Sequence, residues 1–113
     1  MSAKVKRDSL VRLNRALEGE LKFDEVSKLI YATDASSYRE IPIAVAFPKS
    51  NHDLELLIKF AHQHKLTLIP RTAGTSLAGQ VVGHGIIVDV SRYFNKILEY
   101  NDKEKWVRVQ PGV

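Results

Sequence analysis

Cysteine is absent from these 113 residues, and methionine and tryptophan occur once each. Without Cys there can be no disulfide framework, no thiolate zinc or iron-sulfur site and no thiol nucleophile within the chain. No apolar run reaches the roughly 18 residues that a membrane-spanning helix needs. The start, MSAKVKRDSLVRLNR, lacks the apolar stretch of a secretory signal. A cytosolic location is therefore the default expectation. Room for a second core is lacking too, since a chain of this length buries about two-thirds of its unfolded surface at best. It is one domain or part of one.

Beyond its first residues the chain also lacks an excess of either charge. Through residue 15, Lys4, Lys6, Arg7, Arg12 and Arg15 face Asp8 alone, whereas the remaining 98 residues carry 12 basic and 12 acidic side chains. The net charge of +4 thus belongs to the N-terminal segment. A nucleic-acid partner, which needs a basic or aromatic stripe, is not expected.

What is present has a clear order. Leu10, Leu13 and Leu17 recur at helical spacing from Ser9, with Gly19 placed as a helix C-terminal glycine. Asp24 reads as the cap of a second short helix through Val26, Leu29 and Ile30. YATDASSYREIP reads as a loop, and Ile43 to Phe47 as a strand buried on both faces and closed by Pro48. Ser50 and Asp53 form a capping box for a helix whose face is Leu54, Leu57, Ile58 and Ala61 and which ends near Lys65. Thr67 to Ile69 is a short strand stopped by Pro70. Strand, helix and strand at this spacing predict a βαβ unit with parallel strands. Ile86 to Val90 follows as a strand, and Lys96 to Tyr100 with Trp106 to Gln110 reads as a hairpin. Because the chain stops at Gln110-Pro111-Gly112-Val113 straight after a strand, truncation within a larger domain is expected.

The stretch with chemical content is Pro70-Arg71-Thr72-Ala73-Gly74-Thr75-Ser76-Leu77-Ala78-Gly79-Gln80. Small residues after a strand let backbone N–H groups converge on one anion, and Thr72, Thr75 and Ser76 add hydroxyl donors. Gly74 and Gly79 have the spacing of a Walker A loop, but Gln80 stands where that loop needs lysine. On physics alone a phosphate loop and a tight surface loop rich in small residues weigh about equally.

The run PRTAGTSLAGQVVGHGIIVDVSRYFNKILE, then VRVQPGV, and upstream YATDASSY and FPKSNHDLELLIKFAHQHKLTLIPR resemble the FAD-binding domain of the p-cresol methylhydroxylase type. That domain is shared by the vanillyl-alcohol oxidase flavoproteins. The resemblance spans about residues 20–113 and is closest to FAD-linked dehydrogenases of 2-hydroxy acids, such as glycolate, D-lactate and D-2-hydroxyglutarate. YATDAS resembles the large members with a C-terminal iron-sulfur region, of which nothing is present here.

The resemblance implies an α+β fold in which a small, mostly parallel sheet with flanking helices continues into a C-terminal hairpin. This would be the first lobe of a two-lobed FAD-binding domain, with residues 1–19 a helical segment and 20–113 the lobe. It implies FAD contacts at Arg71, Thr72, Ala73, Gly74, Thr75, Ser76, Leu77, Ala78, Gly79 and Gln80, and at Pro111, Gly112 and Val113. Relatives that tether the flavin covalently at this loop have His where Thr75 stands, so a non-covalent FAD is implied. Ala73 replaces the first glycine of their pattern, a change that tolerates most backbone conformations except positive φ. The whole enzyme would take a hydride equivalent from the hydroxyl-bearing carbon of a 2-hydroxy acid, with the protein supplying orientation, electrostatics and a base. None of those substrate-facing groups can be named from this chain. The rival expectation is a stand-alone nucleotide- or phosphate-binding module.

No metal site is expected: His62 and His64 are two apart on a helix and face different sides. His84, in Gly83-His84-Gly85, reads as a solvated turn residue. Asp89 reads as a buried acceptor for neighbouring backbone N–H groups or as a cofactor-side residue, with the structural role favoured.

Overall fold

The computed structural model describes residues 5–113, in which helices and strands follow in the order α1 (Arg7–Ala16), β1 (Glu20–Lys22), α2 (Glu25–Ile30), β2 (Ala44–Phe47), α3 (Asn51–His64), β3 (Leu68–Arg71), β4 (Ile86–Asp89), β5 (Ile97–Asn101) and β6 (Trp106–Val109). Lys4, counted above in the basic segment, lies outside the described residues. Four strands form one sheet in the order β1-β2-β4-β3, and β5 pairs with β6 in a separate hairpin. β2, β4 and β3 run parallel, and β1 is antiparallel to β2. The α+β class, the mostly parallel sheet and the C-terminal antiparallel hairpin are as expected.

Burial follows from alternation along the two central strands. Ala44, Ala46, Ile86 and Val88 face a core made with Leu10, Leu13 and Leu17 of the N-terminal segment and with Leu57 and Phe60 of α3. Val45, Phe47 and Ile87 point to the opposite face, where Tyr31, Ile69 and Tyr93 cover them. Both strands are buried at every position, which is why they read as uninterrupted apolar runs. The expected βαβ unit forms, but β4 lies between its two strands. β4 is wholly apolar up to Asp89, so the centre is its favourable place. β3 contains Pro70, paired with Val88, and does not stop before it; a proline without an N–H is tolerated because β3 is an edge strand.

Two local expectations need correction, and one strand was not expected. α1 ends at Ala16, with the Leu17 N–H bonded to the Leu13 carbonyl. Gly19 is therefore not a helix-ending glycine. It lies where a Cβ would fall 1.9 Å from the Phe47 carbonyl oxygen, so it permits β1 to enter beside β2. β1 itself, three residues with two of them charged, carries no strand signal. On α3 the buried face is Asp53, Leu57, Phe60 and Ala61, which leaves Ile58 59% exposed. Ile58 instead rims an apolar notch with Leu54, Pro70 and Val88.

Asp53 joins these pieces. Its N–H donates to the Ser50 hydroxyl, as in the expected cap, but its carboxylate does not return to Ser50. It accepts from the N–H groups of Glu18 (2.8 Å), Gly19 (2.8 Å) and Lys49 (2.9 Å) and is fully buried. Burial alone would raise its pKa; the three N–H donors, assisted by His52, outweigh this and hold it below the ordinary carboxylate value. A depressed folded pKa contributes stability that is present above the unfolded value near 4 and lost as pH falls through the folded one. Asp53→Asn, which removes the charge and opposes an NH2 to N–H donors, is expected to cost about 2–4 kcal/mol at neutral pH. Thermal denaturation of both proteins at pH 7 and pH 3 checks this, with a smaller gap expected in acid.

Candidate cofactor-binding site

β3 and β4 end side by side at Arg71 and Asp89, which are register partners. In parallel sheets ligands bind beyond the carboxyl ends of the strands. The loop leaving that end turns at Gly74 (φ 70°) and Gly79 (φ 72°), both in the left-handed region that glycine adopts without strain. Ala73 is not among the residues with positive φ, so its methyl group is accommodated. No backbone N–H from Thr72 to Leu77 donates to a protein acceptor among the described residues. Thr72, Ala73, Thr75, Leu77, Ala78 and Gln80 are exposed, and Gly74, Ser76 and Gly79 are half-buried. Ser76 is engaged locally, its hydroxyl paired with the Gln80 side chain, which leaves the hydroxyls of Thr72 and Thr75 unengaged by protein groups. Free N–H groups and hydroxyls on a glycine-shaped loop suit the oxygens of a pyrophosphate.

The segment Tyr31–Glu40 backs this loop. The Ala35 N–H donates to the Gly74 carbonyl at 3.0 Å, and the Tyr38 ring lies where a Cβ on Gly79 would fall 2.7 Å from its Cδ2. The Asp34 carboxylate shapes the segment by accepting from the Ser36 N–H at 2.8 Å. Arg71 Nη1 donates to the carbonyls of Tyr31 (3.3 Å) and Val81 (3.5 Å). The Tyr31 hydroxyl donates to Asp89 Oδ2 at 2.6 Å, while Asp89 Oδ1 accepts from the Ser91 N–H (2.9 Å) and hydroxyl (2.6 Å). Asp89 is thus the buried acceptor read from sequence. Residue properties did not single out Tyr31 or Tyr38; their only signal was the resemblance of the segment containing them.

Pro111, Gly112 and Val113 come to the same end of the sheet by a different route. The Gly112 N–H donates to the Phe94 carbonyl at 2.7 Å, and a Cβ there would fall 2.6 Å from the Val90 carbonyl oxygen. Val90 in turn donates its N–H to the Arg71 carbonyl at 3.0 Å. The two predicted segments therefore flank the end of β4, although no hydrogen bond joins them directly. His84, expected to be solvated, is exposed and pairs through Nε2 with Glu40 at 2.5 Å. His64 stacks on Phe60 with centroids 4.2 Å apart, while His62 is exposed. No cluster of metal-ligating side chains occurs among the described residues, and none of their helices is long and apolar enough to cross a membrane.

Burial, then the hydrogen bond to Asp89 and its charge, push the Tyr31 phenol up to about 12. It therefore remains a donor to Asp89 across the ordinary pH range. A spectrophotometric titration should show a tyrosine titrating near that value, and Asp89→Asn should bring it down toward the ordinary phenol value of about 10.

Residues 42–113 match the family described as FAD binding domain. D-2-hydroxyglutarate dehydrogenase of Escherichia coli (strain K12) is 42% identical over 98 residues, covering 84% of this chain and 10% of the relative. The glycolate oxidase subunit of Bacillus subtilis (strain 168) is 30% identical over 101 residues, covering 86% of the chain and 22% of the relative. The chain thus spans about a tenth to a fifth of these proteins. Among solved structures, p-cresol methylhydroxylase with substrate bound superposes with a TM-score of 0.77 over 94% of this chain and 22% of that one, at 16% identity. For 4-ethylphenol oxidase from Gulosibacter chungangensis the TM-score is 0.73 over 100% and 24%, at 19% identity. These two likenesses establish the fold. With the family match running from just before β2 to Val113, the chain belongs to the FAD-binding domain family.

Proposed function

We propose that this chain is the first lobe of the FAD-binding domain of a longer, cytoplasmic flavoprotein that dehydrogenates a 2-hydroxy acid. The segment before residue 20, helical over Arg7–Ala16, is an N-terminal extension, and residues 20–113 are the lobe itself. The observation that carries the reading is the loop Arg71–Gln80 at the carboxyl end of the parallel strands, with free N–H groups and two positive-φ glycines. In this reading the FAD pyrophosphate lies against Thr72–Gly79, and Pro111–Val113 borders the cofactor from the other side of β4. Thr75 offers no nucleophilic imidazole, so attachment is non-covalent. When bound, FAD supplies the acceptor for the hydride equivalent. The residues of this chain bind and orient it; the base and the substrate contacts belong to parts of the protein beyond these 113 residues.

The substrate class rests on likeness to D-2-hydroxyglutarate dehydrogenases and a glycolate oxidase subunit over more than four-fifths of the chain. This likeness favours a catalytic flavoprotein over a stand-alone nucleotide-binding module. Any iron-sulfur cluster would need ligands from elsewhere, since this chain has no Cys.

The test is to purify the full-length protein and the isolated 113 residues in parallel and record visible flavin absorbance before and after denaturation. The full-length protein is expected to be yellow and to release its flavin on denaturation, and the isolated lobe to hold little or none. A colourless full-length protein would overturn the assignment. Within the full-length protein, Gly74→Val is expected to abolish flavin retention, because a side chain there meets both a φ of 70° and the Arg71 guanidinium 2.5 Å away. His62→Ala, on the exposed side of α3, should leave flavin content unchanged. Equal flavin content in both variants would remove the loop from the site.

A further inference from the structure

Arg71 closes β3 at the point where the loop begins, and its guanidinium is held by protein groups from three places. Nη1 reaches the Tyr31 carbonyl at 3.3 Å and the Val81 carbonyl at 3.5 Å. Cζ sits 5.1 Å from the Tyr31 ring centroid. A Cβ on Gly74 would lie 2.5 Å from Nη2, 2.9 Å from Cζ and 3.0 Å from Nε, so the guanidinium packs directly against that glycine. The Gly74 carbonyl meanwhile accepts from Ala35 N–H, in the same segment that supplies Tyr31. One planar group therefore bridges the segment before the loop, the turn within it and the residue at its far end.

After the hydrogen bonds from Ser36, the charge of Arg71 helps to hold the Asp34 carboxyl below its ordinary pKa, with no ion pair between the two. No carboxylate pairs with Arg71 among the described residues, although Asp89 is its register neighbour. Asp89 is committed to Tyr31 and Ser91 instead. Both hydrogen bonds leave the same nitrogen, Nη1, so what guanidinium adds over ammonium is its flat group, which lies over the Tyr31 ring and packs Nη2, Cζ and Nε against Gly74.

We propose that Arg71 is a positioning residue, which sets the curvature of the 72–80 loop from beneath Gly74 and does not itself touch the FAD pyrophosphate. This rests on the reading that the loop holds the pyrophosphate, and it changes the role of one residue in that site. A cation in contact with phosphate acts chiefly through its charge, so lysine would largely replace it. A strut acts through its shape, so lysine would not.

The experiment compares wild type, Arg71→Lys and Arg71→Ala in the full-length protein by two measurements. The first is FAD affinity of the apoprotein from flavin fluorescence; both variants are expected to weaken binding by about tenfold or more, the size of one lost charge-assisted contact. The second, made without FAD, is hydrogen exchange at the Ala35 amide relative to the amides of β2 and β4. Both variants should exchange faster at Ala35 and unchanged in the central strands. An Arg71→Lys protein with wild-type affinity and wild-type Ala35 protection would overturn the proposal and assign Arg71 to phosphate contact. Wild-type exchange at Ala35 in both variants would also overturn it. If the wild-type protein binds no FAD, the functional reading fails, and the exchange measurement still decides whether Arg71 holds the loop.

Discussion

Three backbone N–H groups from two distant parts of the chain converge on the buried carboxylate of Asp53, and the arrangement of the sheet depends on that convergence. Glu18 and Gly19 immediately precede β1, while Lys49 leads into α3; tying them to one side chain brings β1 alongside β2 and sets the start of α3 against the same edge. An ionised acceptor suits the task because the Asp53 carboxylate is fully buried and is satisfied, among the described residues, only by these three donors, and a hydrogen bond to a charged group contributes about 1.5–3 kcal/mol. Neutral acceptors at this position would satisfy fewer donors, and the close approach of Gly19 to Phe47 would lose its restraint.

From that anchored edge the geometry passes through the two central strands to the functional end. Parallel pairing of β2, β4 and β3 places Phe47, Asp89 and Arg71 along one border. There Tyr31 bonds to Asp89 through its hydroxyl and meets the Phe47 ring edge-on at 6.0 Å. Arg71 covers another part of Tyr31 and supports the loop. The candidate site is therefore a consequence of sheet register: the residues that shape the loop reach one another because adjacent parallel strands end level. Asp89 serves structure, by fixing Tyr31, and the N–H groups of Thr72–Leu77 have no protein acceptor among the described residues.

The elements legible in the sequence were those whose signals are local. Asp24 accepting from the Ser27 N–H, Ser50 accepting from the Asp53 N–H, the apolar runs of β2 and β4 and the turn between β5 and β6 all follow from residues near one another in the chain. What escaped depended on tertiary partners. β1 has strand geometry only because β2 offers it an edge, and Asp53 read as a cap when its larger role lies 34 and 35 residues away. Pro70 read as a stop because nothing local says that its strand lies at an edge. The loop 71–80 was legible as a candidate through its small residues, but its backing by Tyr31 and Tyr38 was not, since the contacts span about 40 residues for each.

The hairpin shows how a locally encoded element can serve a distant site. Ile97, Tyr100, Val107 and Val109 share one face, exposed, and the Glu99–Arg108 ion pair lies on the other. A two-stranded ribbon of this kind is marginal alone. Here its base is fastened: Gln110 N–H donates to the Lys96 carbonyl at 2.9 Å, Lys96 N–H donates to the Gln110 side chain at 3.0 Å, and Gly112 N–H reaches Phe94. Phe94 is itself buried and donates its N–H to Val90. The chain thus leaves the sheet after β4, makes an excursion through β5 and β6, and is returned by those bonds to the end of the strand it left. The close approach of Gly112 to Val90 completes the return, and it brings Pro111–Val113 to the border where the loop of Arg71 begins.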